Sequence, residues 1–286
     1  MLTFATLALA LVAQGPDYSW SGTMAAGKQL TVKNISGDIR VESASGRTVE
    51  ISATKRAGKR GDPEDVTIRR IDTSEGIEVC VIYPGMRDDD DCDWRGNDRN
   101  DRGRNDNRND TRVDFVIRLP ASVDLEASTV SGDVFATGVR GGEVDASTVS
   151  GNVDLRNVTA ETVDAQTVSG DVALSGITSS NVSAQTVSGS VTYSGQIAAD
   201  GDYEFETLSG DVILSVPANT GADVRSSTFS GSFSTNLPFS REGSEIDSRR
   251  RRSRRNVRGT LGSGGASLQL TSFSGDVVIK ELGRAN

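Results

Sequence analysis

The chain has 286 residues, 35% hydrophobic and only 5% aromatic, and its 31 basic and 40 acidic side chains leave a net charge of −9. So few large side chains exclude a wide globular core, and the acidic balance leaves no global basic face for nucleic acid. With no histidine and two cysteines, Ser-His-Asp and Cys-His catalysis are excluded and a zinc site is improbable.

Leu2 to Ala13 form an apolar run with Ala8, Ala10 and Ala13 ahead of Gln14. It has the length of a secretory h-region and is too short to span a bilayer. Residues 1–13 therefore read as a signal peptide, although no basic residue precedes the run. The chain is expected to be exported to the periplasm, cell surface or medium, with no transmembrane anchor once the signal is removed.

Residues 14–120 read as short alternating strands, with Leu30 and Val32, Ile35, Ile39 and Val41, Val49 and Ile51, then patches at Val66 to Ile71, Ile77 to Tyr83 and Val113 to Leu119. No helical periodicity is sustained. Between them, residues 87–112 turn to Asp, Asn, Arg and Gly, including Asp88 to Asp91, Asp93 and a lone Trp94. Such a segment buries too little to offset its ordering entropy and is expected to be a flexible loop. Cys80 and Cys92 are close enough in sequence to pair across its base, since exported chains favour disulfides.

Residues 121–235 carry a repeated phrase, Thr-Val-Ser-Gly-Asp-Val and its variants. Its glycines at 132, 151, 170, 189, 210 and 231 are separated by 19, 19, 19, 21 and 21 residues. A period near twenty is that of a solenoid, in which each coil buries its apolar residues against its neighbours. The fold expected is all-β: a single elongated β-solenoid, β-helix-like, of roughly 19- to 21-residue coils, with two flexible loop insertions.

Alternation within the phrase suggests that both valines and the glycine face the core while Ser and Asp face outward. The inward face must then switch at Gln166-Thr167. On this reading Ser131, Ser150, Ser169, Ser188 and Ser209 form one outward column, and Asp133, Asn152, Asp171, Ser190 and Asp211 the next, continued by Ser232. Charged and neutral residues alternate along the second column, as stacking at about 4.8 Å favours. A calcium ladder would need six to eight oxygens in one shell, which such spacing does not supply.

The second insertion spans residues 236–265 and includes Arg249, Arg250, Arg251, Arg252, Arg254 and Arg255, a candidate tract for anionic lipid or glycan. Residues 266–286 supply a final coil expected to close and cap the solenoid. The same phrase at Ile35 to Ile39 lies 95 residues before its counterpart, five steps of 19, and argues that both ends share one architecture. Uncovered ends would expose strand edges and favour end-to-end self-association.

The recurrent phrase, the strand Val113-Asp-Phe-Val-Ile-Arg-Leu-Pro120 leading into Val123-Asp-Leu125, and Val216-Pro-Ala-Asn219 ahead of a Ser-Gly-Ser coil resemble a bacterial β-strand-repeat family labelled "putative adhesin", a domain of unknown function. The resemblance covers residues 29–279 outside the two insertions. It implies a non-enzymatic, exported protein that binds an envelope or surface component, whether protein, glycan or anionic lipid, with no cofactor and no metal. The alternatives are a periplasmic scaffold or regulatory module of an envelope-stress pathway and, further off, a β-helix enzyme acting on polysaccharide.

Overall fold

The structure, a computed structural model, describes residues 16–86, 92, 109–242 and 256–283. In chain order its strands are β1 (Tyr18–Thr23), β2 (Gln29–Lys33), β3 (Ile39–Ser43), β4 (Thr48–Arg56), β5 (Thr67–Asp72), β6 (Gly76–Ile82), β7 (Arg112–Leu119), β8 (Asp124–Ser131), β9 (Val134–Thr137), β10 (Glu143–Ser150), β11 (Val153–Arg156) and β12 (Thr162–Ser169). They continue as β13 (Val172–Ser175), β14 (Asn181–Ser188), β15 (Val191–Ser194), β16 (Asp202–Ser209), β17 (Val212–Val216), β18 (Ala222–Ser230), β19 (Phe233–Thr235), β20 (Phe239–Arg241), β21 (Asn256–Leu261), β22 (Ala266–Ser274) and β23 (Val277–Glu281). The described residues contain no α-helix.

Each regular coil consists of an eight-residue strand in one sheet, a kink at the Ser-Gly-Asp phrase, and a four-residue strand in the other sheet. Parallel pairing in strict register stacks like on like: Val144, Val163 and Val182 are neighbours, as are Ala146, Ala165 and Ala184. These side chains, with Val153, Val172 and Val191 from the second sheet, form a thin core that is almost wholly excluded from water. Neighbouring coils bury what no single coil could bury alone.

Within the phrase the inward and outward positions differ from the alternation read from sequence. Thr167 continues the inward parity of Val163 and Ala165, and Val168 points to solvent. The face switches at Ser169 to Asp171 rather than at Gln166-Thr167. The reason is a hydrogen bond: the buried threonine hydroxyl donates to the glycine carbonyl of the preceding coil, as in Thr148 to Gly132, Thr167 to Gly151 and Thr186 to Gly170, each at 2.9 Å. A valine there would leave that carbonyl oxygen without the bond, at a cost of about 1 kcal/mol per rung. The glycine makes the kink. At Gly170 φ is +151°, and a Cβ would lie 1.9 Å from the carbonyl oxygen of Gly151.

Chain order and spatial order part company at both ends. One sheet has eleven strands in the order β1-β4-β7-β3-β9-β11-β13-β15-β17-β23-β19, the other twelve in the order β20-β21-β18-β22-β16-β14-β12-β10-β8-β2-β6-β5. The last coil, β22 and β23, therefore does not cap the solenoid. It is inserted between the coils of β16–β17 and β18–β19 because β20 and β21 turn the chain back first. In doing so they cover the outer edge of β18 with the antiparallel strand β21. Residues 236–265 are thus not wholly a flexible insertion: β21 buries Val257 and Leu261. At the other end β2 and β3 lie directly against β8 and β9, so the 95-residue separation is one rung in space rather than five. Antiparallel β1, β4 and β5 finish that end.

Cys80, buried on β6, is disulfide-bonded to Cys92. The apolar run of residues 1–13, the Asp88 to Asp91 cluster with Asp93, and the arginines 249–255 lie outside the described residues.

Candidate functional site

Two features of the coil surface compete for a functional role. The first is the polar column predicted from sequence. Ser131, Ser150, Ser169, Ser188 and Ser209 are exposed, and their main-chain carbonyls accept the glycine N–H of an adjacent coil in the regular coils, as Ser169 does from Gly151 at 3.0 Å.

The second predicted column has a definite task in the structure. Its side-chain oxygens each accept the backbone N–H of the next rung. Asp133 Oδ1 accepts from Asn152 N (2.7 Å), Asn152 Oδ1 from Asp171 N (2.9 Å), Asp171 Oδ1 from Ser190 N (2.8 Å) and Ser190 Oγ from Asp211 N (3.3 Å). The position demands a short acceptor, because the kink turns these N–H groups away from the main-chain ladder.

Charge alternation is not the rule of that column. Asp276 sits between Asp211 and Ser232, with Asp276 N donating to Asp211 Oδ1 at 2.8 Å and Ser232 N to Asp276 Oδ1 at 2.8 Å. At the other end Asp114, Asp38 and Asp133 follow one another directly. There arginines offset the repulsion: Arg56 lies 2.9 Å from Asp114, Arg40 3.0 Å and Arg112 3.6 Å from Asp38. Charge alternation fails because the acceptor need is met equally by Asp, Asn or Ser, and because spatial order at the ends is not sequence order.

The second feature is a row of apolar side chains on the outer face of the twelve-stranded sheet, which the sequence reading had placed in the core. In spatial order it runs Val130, Val149, Val168, Val187, Leu208, Phe273, Phe229, with exposures from 39% to 55%. Phe229 and Phe273 stack in parallel, ring centroids 4.6 Å apart. Seven rungs at about 4.8 Å make a stripe about 29 Å long. Beside it, two residues earlier on each strand and facing outward too, runs a polar row of Ser128, Ser147, Gln166, Gln185, Glu206, Thr271 and Ser227.

Between these rows lies a shallow groove. Its larger section, about 530 Å³, follows the valines to Leu208, and a second section of about 420 Å³ is walled by Leu208, Phe273 and Phe229. One signal of this row was present in the sequence: the residue before each Ser-Gly grows from Val to Leu to Phe, whereas the residue after Asp/Asn/Ser stays Val through most coils. A packed stack tolerates little change of volume and a solvent-facing row tolerates it freely.

One row further out, strict register stacks Glu126, Asp145 and Asp164 on adjacent rungs. Burial first, then the charges of Asp164, Glu126 and Glu143, push the Asp145 carboxyl up to about 6. Among the described residues no group of three or more Asp, Glu, Cys or His side chains is arranged to hold a metal ion, and no helix is long and apolar enough to cross a membrane.

A family model described as Toastrack DUF4097 matches residues 111–280. No curated protein matches. Among solved structures, a "putative cell adhesion protein" from Clostridium sporogenes is 12% identical with a TM-score of 0.35, over 92% of this chain and 99% of that one. A "putative adhesin" from Bacteroides fragilis is 11% identical with a TM-score of 0.39, over 92% and 96%. A "putative lipid binding protein" from Parabacteroides distasonis is 15% identical with a TM-score of 0.35, over 94% and 98%.

Proposed function

The chain belongs to the Toastrack family, and from that premise we propose that it is an exported, non-enzymatic binding protein of the cell envelope or surface that docks through its outer apolar stripe. One observation carries the reading. Seven Val, Leu and Phe side chains stand in an unbroken exposed row on a face whose neighbouring rows are polar. Leaving them in water forgoes burial that a folded chain ordinarily takes, and contiguous exposed apolar surface of this kind marks an interaction site. The strands that carry the stripe are each paired on both sides within the sheet, which supports a ligand held by side chains rather than by strand addition.

The test has two arms. Full-length protein on beads is applied to isolated cell envelopes, with and without Val168→Asp and Leu208→Asp together. Both positions are exposed, so the fold tolerates the change, and retention is expected to fall at least about tenfold. Equal retention overturns docking through the stripe. Trypsin shaving of intact and permeabilised cells, followed by mass spectrometry for peptides ending at Arg140 and Arg156, tests export. Recovery of the protein in the cytoplasmic fraction alone overturns that part.

A further inference from the structure

The stripe is not uniform along its length, and its two halves differ in a complementary way. Val187 is the central rung, with Val168, Val149 and Val130 to one side and Leu208, Phe273 and Phe229 to the other. Small side chains occupy one half and large ones the other. If the row is reversed against itself about Val187, Val168 meets Leu208, Val149 meets Phe273 and Val130 meets Phe229. Every large side chain then faces a small one, which is how two sheet faces interdigitate.

The outer charged row is graded in the same sense. It reads Glu126, Asp145, Asp164, Ser183, Glu204, Gln269, Arg225, and the next strand adds Arg258 beside Arg225. Reversal sets Glu126 against Arg225 and Asp145 against Gln269. In the polar row between, it sets Gln166 against Glu206 and Ser147 against Thr271. One rung, Asp164 against Glu204, brings like charges together. Each of those carboxylates already accepts from an amide of its own chain, Asp164 from Gln166 at 2.9 Å and Glu204 from Gln269 at 2.7 Å.

We infer that the occupant of the stripe is a second copy of this chain, related by a two-fold axis that lies along β14 over Val187, so that the two solenoids run antiparallel face to face. The inference rests on the docking reading above and names its partner. The other face-to-face two-fold, with its axis along the solenoid over the stripe, sets Phe229 on Phe229, Phe273 on Phe273 and Val130 on Val130, large on large and small on small. It carries the outer charged row to the far side of the facing stripe, so that Glu126 and Arg225 do not meet. Side-chain volume and the Glu126–Arg225 pairing together therefore select the antiparallel arrangement. Three rows over seven rungs cover on the order of 500 Å² on each copy, at the lower limit for a specific interface. The contact is accordingly a weak, reversible one.

Sedimentation equilibrium of the full chain over a concentration series tests this. The expected result is a monomer–dimer equilibrium that Glu126→Arg and Arg225→Glu each weaken about tenfold, since each puts two like-charged contacts into the dimer. Mixing these two variants restores dimerisation, because every 126–225 contact in the mixed dimer then joins opposite charges. Val187→Asp places two carboxylates on the axis and abolishes the dimer, with circular dichroism confirming the fold.

A protein monomeric throughout, or a dimer indifferent to both charge reversals, overturns the second copy as partner. If such a monomer still loses envelope retention on Val187→Asp, docking through the stripe stands and only the partner falls. Flotation of the monomer with phosphatidylcholine vesicles, lost on Val187→Asp, would overturn the second copy in favour of a lipid surface.

Discussion

The regular coils β10–β15 and the longer turn at residues 194–203 solve the same stacking problem by different means. In the regular coils one small device repeats: a buried threonine hydroxyl on a glycine carbonyl, and a short side-chain acceptor on the next rung's N–H. Where the step lengthens by two residues the device continues at the kink, Thr207 donating to Gly189 O at 2.8 Å, and large aromatics are added to hold the longer turn. Tyr193 donates to Gln196 O, while Tyr203 donates to Ser179 O at 2.7 Å and accepts from Ala198 N at 2.9 Å. With Phe205 the two tyrosines form a buried ring cluster. Regularity makes each bond cheap to repeat but forbids local variation, and the irregular turn needs residues that act only once.

The sharpest break of this comparison falls on the kink. Gly170→Ala puts a methyl 1.9 Å from a main-chain oxygen at a left-handed φ, and neither group can move without disturbing the rungs on both sides. Unfolding by urea should show a loss of about 3 kcal/mol or more. Gly46, in the turn between β3 and β4, has nothing within 4 Å of its would-be Cβ, so Gly46→Ala should stay within about 0.5 kcal/mol. Equal losses at the two sites would mean that the kink glycine is not a steric requirement of stacking.

At the irregular turn the expected effect is smaller. Tyr203→Phe keeps the ring packing but leaves Ala198 N and Ser179 O without the phenol. The buried groups so orphaned should cost about 2 kcal/mol in the same urea experiment. A loss below that of a single threonine bond, about 1 kcal/mol, would show that ring packing alone holds the turn.

The all-β, repetitive character was legible because the repeat is carried by small and β-branched residues that only a thin stacked core can use, and the match over residues 111–280 agrees with the resemblance that the phrase carries. The outward placing of the apolar row was not legible from alternation. In Thr-Val-Ser-Gly the valine looks like core and the threonine like surface, and only the hydroxyl's reach to Gly151 O, across a rung 16 residues away, reverses the two. The Asp/Asn column was visible as outward, but its purpose was hidden in main-chain N–H groups that sequence does not display. The end coils were misordered because sequence adjacency is the natural guide to stacking, and it fails where β20 and β21 reverse the chain before β22 is laid down. The arginine tract remains a matter of sequence alone.

The smallest effect sharpens the cost of regularity. Identical register forces Glu126, Asp145 and Asp164 onto adjacent rungs, and Asp145, between the other two and partly buried, holds its proton up to about pH 6. In the unfolded chain the same carboxyl titrates near 4. The folded state therefore binds the proton in a range where the unfolded state has lost it, and protonation favours folding. Stability contributed by this group should rise as pH falls from about 7 to about 4 and level off below. Partial exposure screens the effect, to about 1 kcal/mol. Asp145→Asn, which keeps the shape and removes the charge, should raise stability at pH 7 by about that amount and flatten the slope between pH 4 and 7. A slope unchanged in the variant would mean that Asp145 does not carry the strain of the stacked carboxylates.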